Sequence, residues 1–504
     1  MGTIYQIAGT GLHLIRPGRA GKYPWISSAA PGVTDALTGG YTGDACEEIT
    51  LATRRKVLAG ASAAGALLAL RGVLGGTAEP GARVPVGGFG PLQLDPDRIL
   101  DLAEGFSYRV ISKAGAIMSD GLRVPASHDG MAAFDAGDGR IALVCNHELR
   151  MEDSDLGPFL PGGKRIAANR IYDPGRGEPC PGGTTTIIYD PRSRRSERQF
   201  LSLAGTERNC AGGATPWGSW LSCEESVTGP DAKRARAHGW VFEVPASATG
   251  PVDPVPLTAL GRFNHEAVAI DPRTGIAYLT EDRPDSLLYR FLPNERGRFA
   301  AGGRLQALAL PGWPGGDTRN FPSEGAGAFP AGSAFRARWF DLSGTDSPKD
   351  DLRQRGFAAG AALFARGEGI CMGRADLYFC CTAGGKIGAG QIFRYRPGHE
   401  EGTAAEKDAP GQLELFVEST DRSLLDNCDN LIMSPWGDLL VCEDAKAPCA
   451  LVGITPGAGL YKFAENAYTD SELAGVCFAP DGRTLFVNVW DPGMTLAITG
   501  PFPA

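Results

Sequence analysis

Apolar positions along this chain recur as two short strand-like runs divided by a Pro, Gly or Asp turn, with polar residues of metal-ligand type at both open ends. The clearest copies are CAGGATPWGSWLSCEE from Cys210, EAVAIDPRTGIAYLTED from Glu266, DNLIMSPWGDLLVCED from Asp429 and ELAGVCFAPDGRTLFVNV from Glu472. Two looser copies are DGMAAFDAGDGRIALVCNHE from Asp129 and EGICMGRADLYFCCTAG from Glu368. Strand, turn and strand in this order is the pattern of a β-hairpin. The start of the first strand and the end of the second lie on one side of a hairpin. Asp129, Cys210, Glu266, Glu368, Asp429 and Glu472 should therefore share a face with Glu148, Glu225, Asp282 and the Glu443/Asp444 pair.

A further strand follows each hairpin: TTTIIYD from Thr184, WVFEVPA from Trp240, LLYRFLP from Leu287, IFRYRPG from Ile392, LYKFAEN from Leu460 and TLAITGP from Thr495. Three or four strands in each of six units predict an all-β fold, a six-bladed β-propeller, because a blade cannot bury its faces alone and must close around an axis. The hairpin starts stand roughly 43 to 102 residues apart, so long inter-blade insertions are expected. In a radial arrangement the two sets of polar ends become two concentric acidic rings at one mouth. The alternative is that carboxylates merely cap strands and avoid the interior. Their presence at five of the six inner starts favours the rings.

Composition narrows the function. A net charge of -9 without any basic run disfavours a nucleic-acid partner, which demands clustered Lys and Arg. The 504 residues would allow several domains, yet a propeller holds several hundred in one closed unit, expected here over residues 95–502. Gly 70 and Pro 37 fit a fold rich in turns.

Thr53-Arg54-Arg55-Lys56 precedes a small-residue apolar stretch from Val57 to Leu70. Paired arginines, a moderately apolar stretch and small residues at Thr77-Ala78 mark residues 51–78 as a twin-arginine export signal. The stretch is short and rich in Ala and Gly for a membrane span. Residues 1–50 show no periodicity and are expected to be disordered or to reflect an overextended start. A periplasmic or secreted location follows, with the export machinery as partner.

Most of the twelve cysteines, among them Cys145, Cys223, Cys371, Cys380, Cys442 and Cys477, fall inside expected strands and read as small buried apolar groups. No zinc-type C-x-x-C pair occurs. Cys210 differs, because it stands at an inner-strand start among the ring carboxylates. Oxygen-rich sites suit hard cations such as Ca2+ or Fe3+, and a single thiolate adds a softer donor compatible with iron. An unpaired structural thiol remains the other reading. His128, His147 and His265 lie next to ring positions, where a histidine more often orients a ligand than binds the ion.

Arg366 stands two residues before Glu368, so its planar fork could hold a tetrahedral oxyanion at the ring, or it could pair with a ring carboxylate. There is no serine nucleophile elbow, Walker loop or Rossmann fingerprint.

Ordered strings then carry a resemblance. They are Asn146-His147-Glu148, Asn209-Cys210-Ala211-Gly212-Gly213, Thr215-Pro216-Trp217-Gly218, Cys223-Glu224-Glu225, Phe263-Asn264-His265-Glu266 and Thr280-Glu281-Asp282. Arg366-Gly367-Glu368-Gly369, Asp429-Asn430-Leu431, Cys442-Glu443-Asp444 and Pro480-Asp481-Gly482-Arg483-Thr484-Leu485-Phe486-Val487-Asn488 complete them. Together they resemble the PhoX-type alkaline phosphatases, exported propeller proteins. The resemblance implies a cluster of Fe3+ and Ca2+ in the channel mouth, with Cys210, Glu266 and Glu368 on iron. Calcium would fall to the other acidic strand ends, so that the expected metal ligands are Cys210, Glu148, Glu225, Glu266, Asp282, Glu368, Asp429 and Glu443. Arg366 would bind the phosphoryl group as the catalytic and substrate-binding side chain. Water or an oxide would be the nucleophile, phosphomonoesters the substrates, phosphate scavenging the purpose, and the protein a monomer. One departure is that the fourth hairpin ends in Cys380-Cys381-Thr382 where a carboxylate is expected. Two other functions remain: a calcium-dependent propeller lactonase or esterase, and a non-catalytic ligand-binding propeller.

A paired-arginine signal is read by a receptor and not by hydrophobicity alone. Replacing Arg54 and Arg55 together by Lys should leave unprocessed precursor in the cytoplasm, seen by fractionation and blotting. Normal periplasmic accumulation would remove the signal reading.

Overall fold

The computed structural model describes residues 86–160, 162–313, 315–322, 328–446 and 448–503. The expected start region and export signal, residues 1–50 and 51–78, lie outside the described residues. Six antiparallel sheets form six blades of a β-propeller. All six expected hairpins are present, and each forms the two inner strands of one blade.

Blade 1 comprises His128–Gly137, Arg140–His147, Gly182–Asp190 and Arg195–Thr206, and blade 2 comprises Asn209–Ala214, Ser219–Glu224 and Val241–Pro245. Blade 3 begins at His265–Ile270 and runs through Ala277–Glu281 and Tyr289–Pro293 to Gly303–Ala309. Blade 4 runs from Gly367–Met372 through Leu377–Cys381 and Gln391–Arg396 to Gln412–Glu418. Blade 5 has Cys428–Met433, Leu439–Glu443, Ala450–Ile454 and Leu460–Asn466; blade 6 has Leu473–Phe478, Leu485–Val489 and Met494–Thr499. The run from Leu460 is thus the fourth strand of blade 5, and the third is Ala450–Ile454, a short wholly buried apolar segment. The six innermost strands contact one another in sequence order, and the last contacts the first, which closes the ring.

Two devices hold the ring shut. Ser107–Lys113 is the outermost strand of blade 6, where Tyr108 pairs with Ile498 and Lys113 with Met494. Leu100–Ala103 pairs with Leu460–Asn466 of blade 5 and Leu92–Gln93 adds outside it, so the N-terminal segment clasps the last two blades. The insertion after Ala309 lends Arg338–Asp341 to the edge of blade 3 and Ala334–Arg336 to that of blade 4. What the sequence presents as an interruption therefore ties neighbouring blades together.

Between blades the faces are packed with aromatic and aliphatic side chains. Tyr278, Leu288, Phe364, Phe379, Phe393 and Tyr395 are buried in the seam of blades 3 and 4, and the Phe379 and Phe393 rings stack at 5.2 Å. Near the axis the strands approach so closely that a side chain has no room. A Cβ on Gly213 of blade 2 would stand 1.9 Å from the Val268 carbonyl oxygen of blade 3. Gly213→Ala should therefore push two blades apart and cost about 1–3 kcal/mol of stability, the usual range for overpacking. A lowered denaturant midpoint would show it, and an unchanged midpoint would mean that the seam can yield.

Candidate metal centre

The same defect recurs in every inner hairpin. Pairing begins at His128 with His147, Asn209 with Glu224, His265 with Glu281, Gly367 with Cys381, Cys428 with Glu443 and Leu473 with Val489. Within the next few residues the register of each hairpin slips by one, a β-bulge. A bulge bends the strand and re-aims the side chains on it. In blades 1 to 5 the residue opening the bulge is Asp129, Cys210, Glu266, Glu368 or Asp429; blade 6 makes one further pair, Ala474 with Asn488, before its bulge, so the matching residue is Gly475, and Glu472 stands three positions earlier. On the partner strands, the matching positions are Glu148, Glu225, Asp282, Thr382 and Asp444, and in blade 6 Val489, with Trp490 one residue further out. These are the two rings expected from the hairpin ends, aligned by register.

Their donor atoms converge. One atom from each of Asp129, Glu148 and Cys210 lies within 4.8 Å of the others, and the same holds for Cys210, Glu225 and Glu266. Glu266, Glu368 and Asp429 form a third such group, and Asp429, Asp444 and Glu472 a fourth. Because Cys210, Glu266 and Asp429 are each shared, the groups link into one chain of donors. The Cys210 Sγ stands 3.5 Å from Asp129 Oδ2 and 3.4 Å from Glu266 Oε1. Side chains from the second strands hold the bulges from the neighbouring blade. Asn146 donates to the carbonyls of Cys210 and Ala211 at 3.0 and 2.7 Å, and Asn488 to that of Asp129 at 2.6 Å.

Two guanidinium groups border this chain. Arg366 meets Asp282 with its fork, Nε to Oδ1 at 2.7 Å and one terminal nitrogen to Oδ2 at 3.1 Å, and reaches Glu368 Oε1 at 2.7 Å. Of the two readings raised for Arg366, the structure shows the ion pair: both of its partners are ring carboxylates. Arg208, which the sequence reading missed, bonds Glu148 Oε1 at 3.0 and 3.2 Å and also pairs with Glu225. It stands two residues before Cys210, as Arg366 stands two before Glu368. That shared offset was the available signal. Trp490, equally unforeseen, donates its indole N–H to Glu148 Oε2 at 2.8 Å.

Of the expected ligands, Cys210, Glu148, Glu225, Glu266, Glu368 and Asp429 fall in the donor groups. Asp282 borders them and is taken up by Arg366. Glu443 requires correction. It pairs with Cys428 inside the strand, so strict alternation turns it away from the ring. Its carboxylate accepts the amides of Asp426 at 2.8 Å and Ala450 at 2.9 Å, and Asp444 takes the ring place. The histidines serve the loops. His128 meets Thr495 Oγ1 and the Pro125 carbonyl, and His147 meets Thr185 Oγ1 and the Ala126 carbonyl. Burial pushes His147 down to about 4 and His265 to about 3, so both are neutral. The eleven described cysteines are all buried and none forms a disulfide.

A family model described as alkaline phosphatase PhoX matches residues 87–188 and 188–493. The chain belongs to the PhoX alkaline phosphatase family. As a member it is a metal-dependent phosphoester hydrolase. In fold it is similar to Pseudomonas fluorescens PhoX, solved in complex with vanadate, a transition state analogue. The two share 17% identity over 84% of this chain and 97% of that one, with a TM-score of 0.61. Looser likenesses, without bearing on function, join it to a gluconolactonase of Xanthomonas campestris (12% identity, 83% and 100% covered, TM-score 0.36) and to virginiamycin B lyase of Staphylococcus aureus (10%, 78% and 99%, 0.35). Among curated proteins none matches the chain.

The donors of this PhoX member fit cations. Glu266 is wholly buried, yet its Oε2 has no hydrogen-bond partner, as suits an oxygen meant for a metal ion. Burial raises the Glu225 carboxyl to about 8, and Asp282 and Glu148 add to the effect while Arg208 opposes it. Burial and carboxylate neighbours likewise hold Glu266 and Glu368 well above the usual range and keep the Cys210 thiol protonated. A cation bound by these donors would reverse each of these shifts, because metal ligation requires the deprotonated donor.

A pH dependence follows. A carboxyl whose folded pKa is raised contributes stability that is present in acid and is lost as pH climbs through the folded value. For Glu225 the loss spans its usual carboxyl range up to about 8. Cations abolish that loss, so the gap in Tm between metal-loaded and chelated protein should widen from about pH 5 to about pH 9. Thermal melts at a series of pH values measure it. A constant gap would mean that these carboxyls do not hold the ions.

Proposed function

We propose that this chain hydrolyses phosphomonoesters to scavenge phosphate, after twin-arginine export to the periplasm or beyond, and acts as a monomer. The cations are Fe3+ and Ca2+: Cys210, Glu266 and Glu368 would hold iron, and Glu148, Glu225, Asp429 and Asp444 would supply oxygen donors for calcium. The observation that carries the reading is the pair of forked guanidiniums, Arg366 and Arg208, set against the outer carboxylates of a shared donor chain. A lactonase built on the same fold would use neither the thiolate nor the arginines. The vanadate complex of the Pseudomonas fluorescens protein, with its transition state analogue, supports phosphoryl chemistry for this chain as well.

Bound cations would supply Lewis acidity to the phosphoryl oxygens and acidify an attacking water. The side chains do the rest. Arg366 exchanges its contact with Asp282 for two oxygens of the transferred group, and its fork matches them as charge spreads in a loose transition state. Arg208 adds a second positive charge and holds Glu148 and Glu225 in place. No side chain needs to attack.

Release of p-nitrophenolate from p-nitrophenyl phosphate by protein loaded with iron and calcium tests the activity, and no turnover with full metal content would overturn it. Arg366→Lys keeps one charge but loses the bidentate fork. Its kcat/KM should fall by on the order of 2–4 kcal/mol, comparable to losing an oxyanion donor. The fall should be the same for every leaving group, since the arginine meets only the transferred group. Wild-type kinetics with intact metals would leave Arg366 a structural ion pair.

A further inference from the structure

Away from the channel, Asp173, Cys180 and His238 bring a carboxylate oxygen, a thiol sulfur and an imidazole nitrogen within 4.8 Å of one another. All three residues are wholly buried. Asp173 and Cys180 lie in the insertion between the second and third strands of blade 1, and His238 just before the third strand of blade 2. The imidazole Nε2 faces both other donors, 3.2 Å from Asp173 Oδ2 and 3.8 Å from Cys180 Sγ. Ligands about 2.0–2.3 Å from one ion, set at tetrahedral angles, stand about this far apart.

The second observation lies on the other ring nitrogen. His238 Nδ1 is 2.6 Å from Glu224 Oε1, and the amides of Glu207, Gly239 and Trp240 fix that carboxylate. A carboxylate behind a histidine is the usual outer partner of a metal-bound imidazole, since it sets the tautomer and leaves the far nitrogen's lone pair for the ion. Asp173 is positioned as firmly, with the amides of Gly175, Ala235 and Arg236 on its two oxygens. The Tyr172 ring packs edge-on against the imidazole.

We propose that Asp173, Cys180 and His238 bind zinc at a site separate from the channel cluster, with a water molecule in the fourth tetrahedral position and Glu224 as the residue that orients His238. One carboxylate, one thiolate and one imidazole form a set that zinc favours over calcium, which takes oxygen ligands. The ion would cross-link the blade 1 insertion to blade 2, where both segments are irregular loop and gain little from sheet hydrogen bonds. This site does not depend on the phosphatase reading.

The competing arrangement is an imidazolium bridging Asp173 and Glu224 beside an idle thiol. Cobalt tells the two apart, because Co2+ in a tetrahedral site with a thiolate shows a sulfur-to-metal charge-transfer band and strong visible absorption. The full-length protein is prepared as Cys210→Ser, which removes the channel thiolate, and is exchanged with Co2+. The band should be present and should vanish in the Cys210→Ser/Cys180→Ala protein. A missing band in the first protein, or a band that survives in the second, overturns the proposal. Should the double variant fail to fold, X-ray absorption at the zinc edge of the Cys210→Ser protein decides alone. One sulfur among nitrogen and oxygen scatterers is expected; a shell without sulfur, or no zinc bound, refutes the site.

Discussion

The mutual repulsion of buried carboxylates is the constraint around which this mouth is built. Glu225, Glu266 and Glu368 each have their proton affinity raised by burial, which removes the screening water, and by the negative charge of neighbouring carboxylates. Such groups stay in place only because the backbone gives them no retreat. Each of blades 1 to 5 sets its donor on a bulge, and the bulge is wedged against the next blade. The approach to the bulge is itself strained. Ser127, Arg208, Arg366 and Asn427, all two residues before a bulge donor, have φ of 49°, 50°, 56° and 49°. The left-handed region costs a residue with a Cβ about 1–2 kcal/mol. Four blades accept that cost at one position, and at two of them the strained residue is the arginine that answers the negative charge.

Alternation along the second strands divides the acidic residues into two kinds of work. Glu224, Glu281 and Glu443 pair within the strand, one residue short of the ring, and so face the other way. There they meet donors of the protein itself. Glu224 takes three backbone amides and His238, Glu281 accepts the Tyr289 hydroxyl at 2.7 Å, and Glu443 takes two amides. One residue further on, Glu225 and Asp282 meet Arg208 and Arg366, and Asp444 stands beside Asp429 and Glu472. Glu-Glu, Glu-Asp and Glu-Asp in these three blades are therefore a structural acid followed by a ring acid. Sequence resemblance among the three motifs conceals that difference of role.

The hairpins were legible because each carries its own alternation and its own turn, and neither depends on anything distant. The clasp was not, because nothing in SYRVISK near residue 107 announces a partner at Met494–Thr499; long-range pairing leaves no local period. Ala450–Ile454 escaped for another reason. A five-residue apolar run without alternation does not reveal its own secondary structure. At the site, strand ends gave the rings but not their phase. The choice between Glu443 and Asp444 turns on a single residue, and pairing with Cys428 decides it. Arg208 could have been found from its offset to Cys210. Asp173, Cys180 and His238 could not, since their spacing of 7 and 58 residues fits no ligand motif and they meet only through two separate loops.

The six-fold repeat supplies equivalent places, and the departures from it give the mouth its direction. Blade 4 offers Thr382 instead of an outer acid, and blade 6 offers Gly475 and Val489 in the two ring positions, with Trp490 next to the latter. The donors therefore describe an arc from Glu148 to Glu472, closed at its gap by the indole of Trp490 on Glu148. Both arginines lie along that arc, on blades 2 and 4, with the outer acids Glu225 and Asp282 between them. A full ring of six identical acids would bind cations without distinguishing one side of a ligand from another. Transfer of a phosphoryl group needs the opposite, with positive charge gathered over the transferred oxygens and different surroundings for the entering and departing oxygens. The broken symmetry suits that need, and on the proposed metal assignment the single thiol among carboxylates would extend it to the ions by making one part of the donor chain softer than the rest.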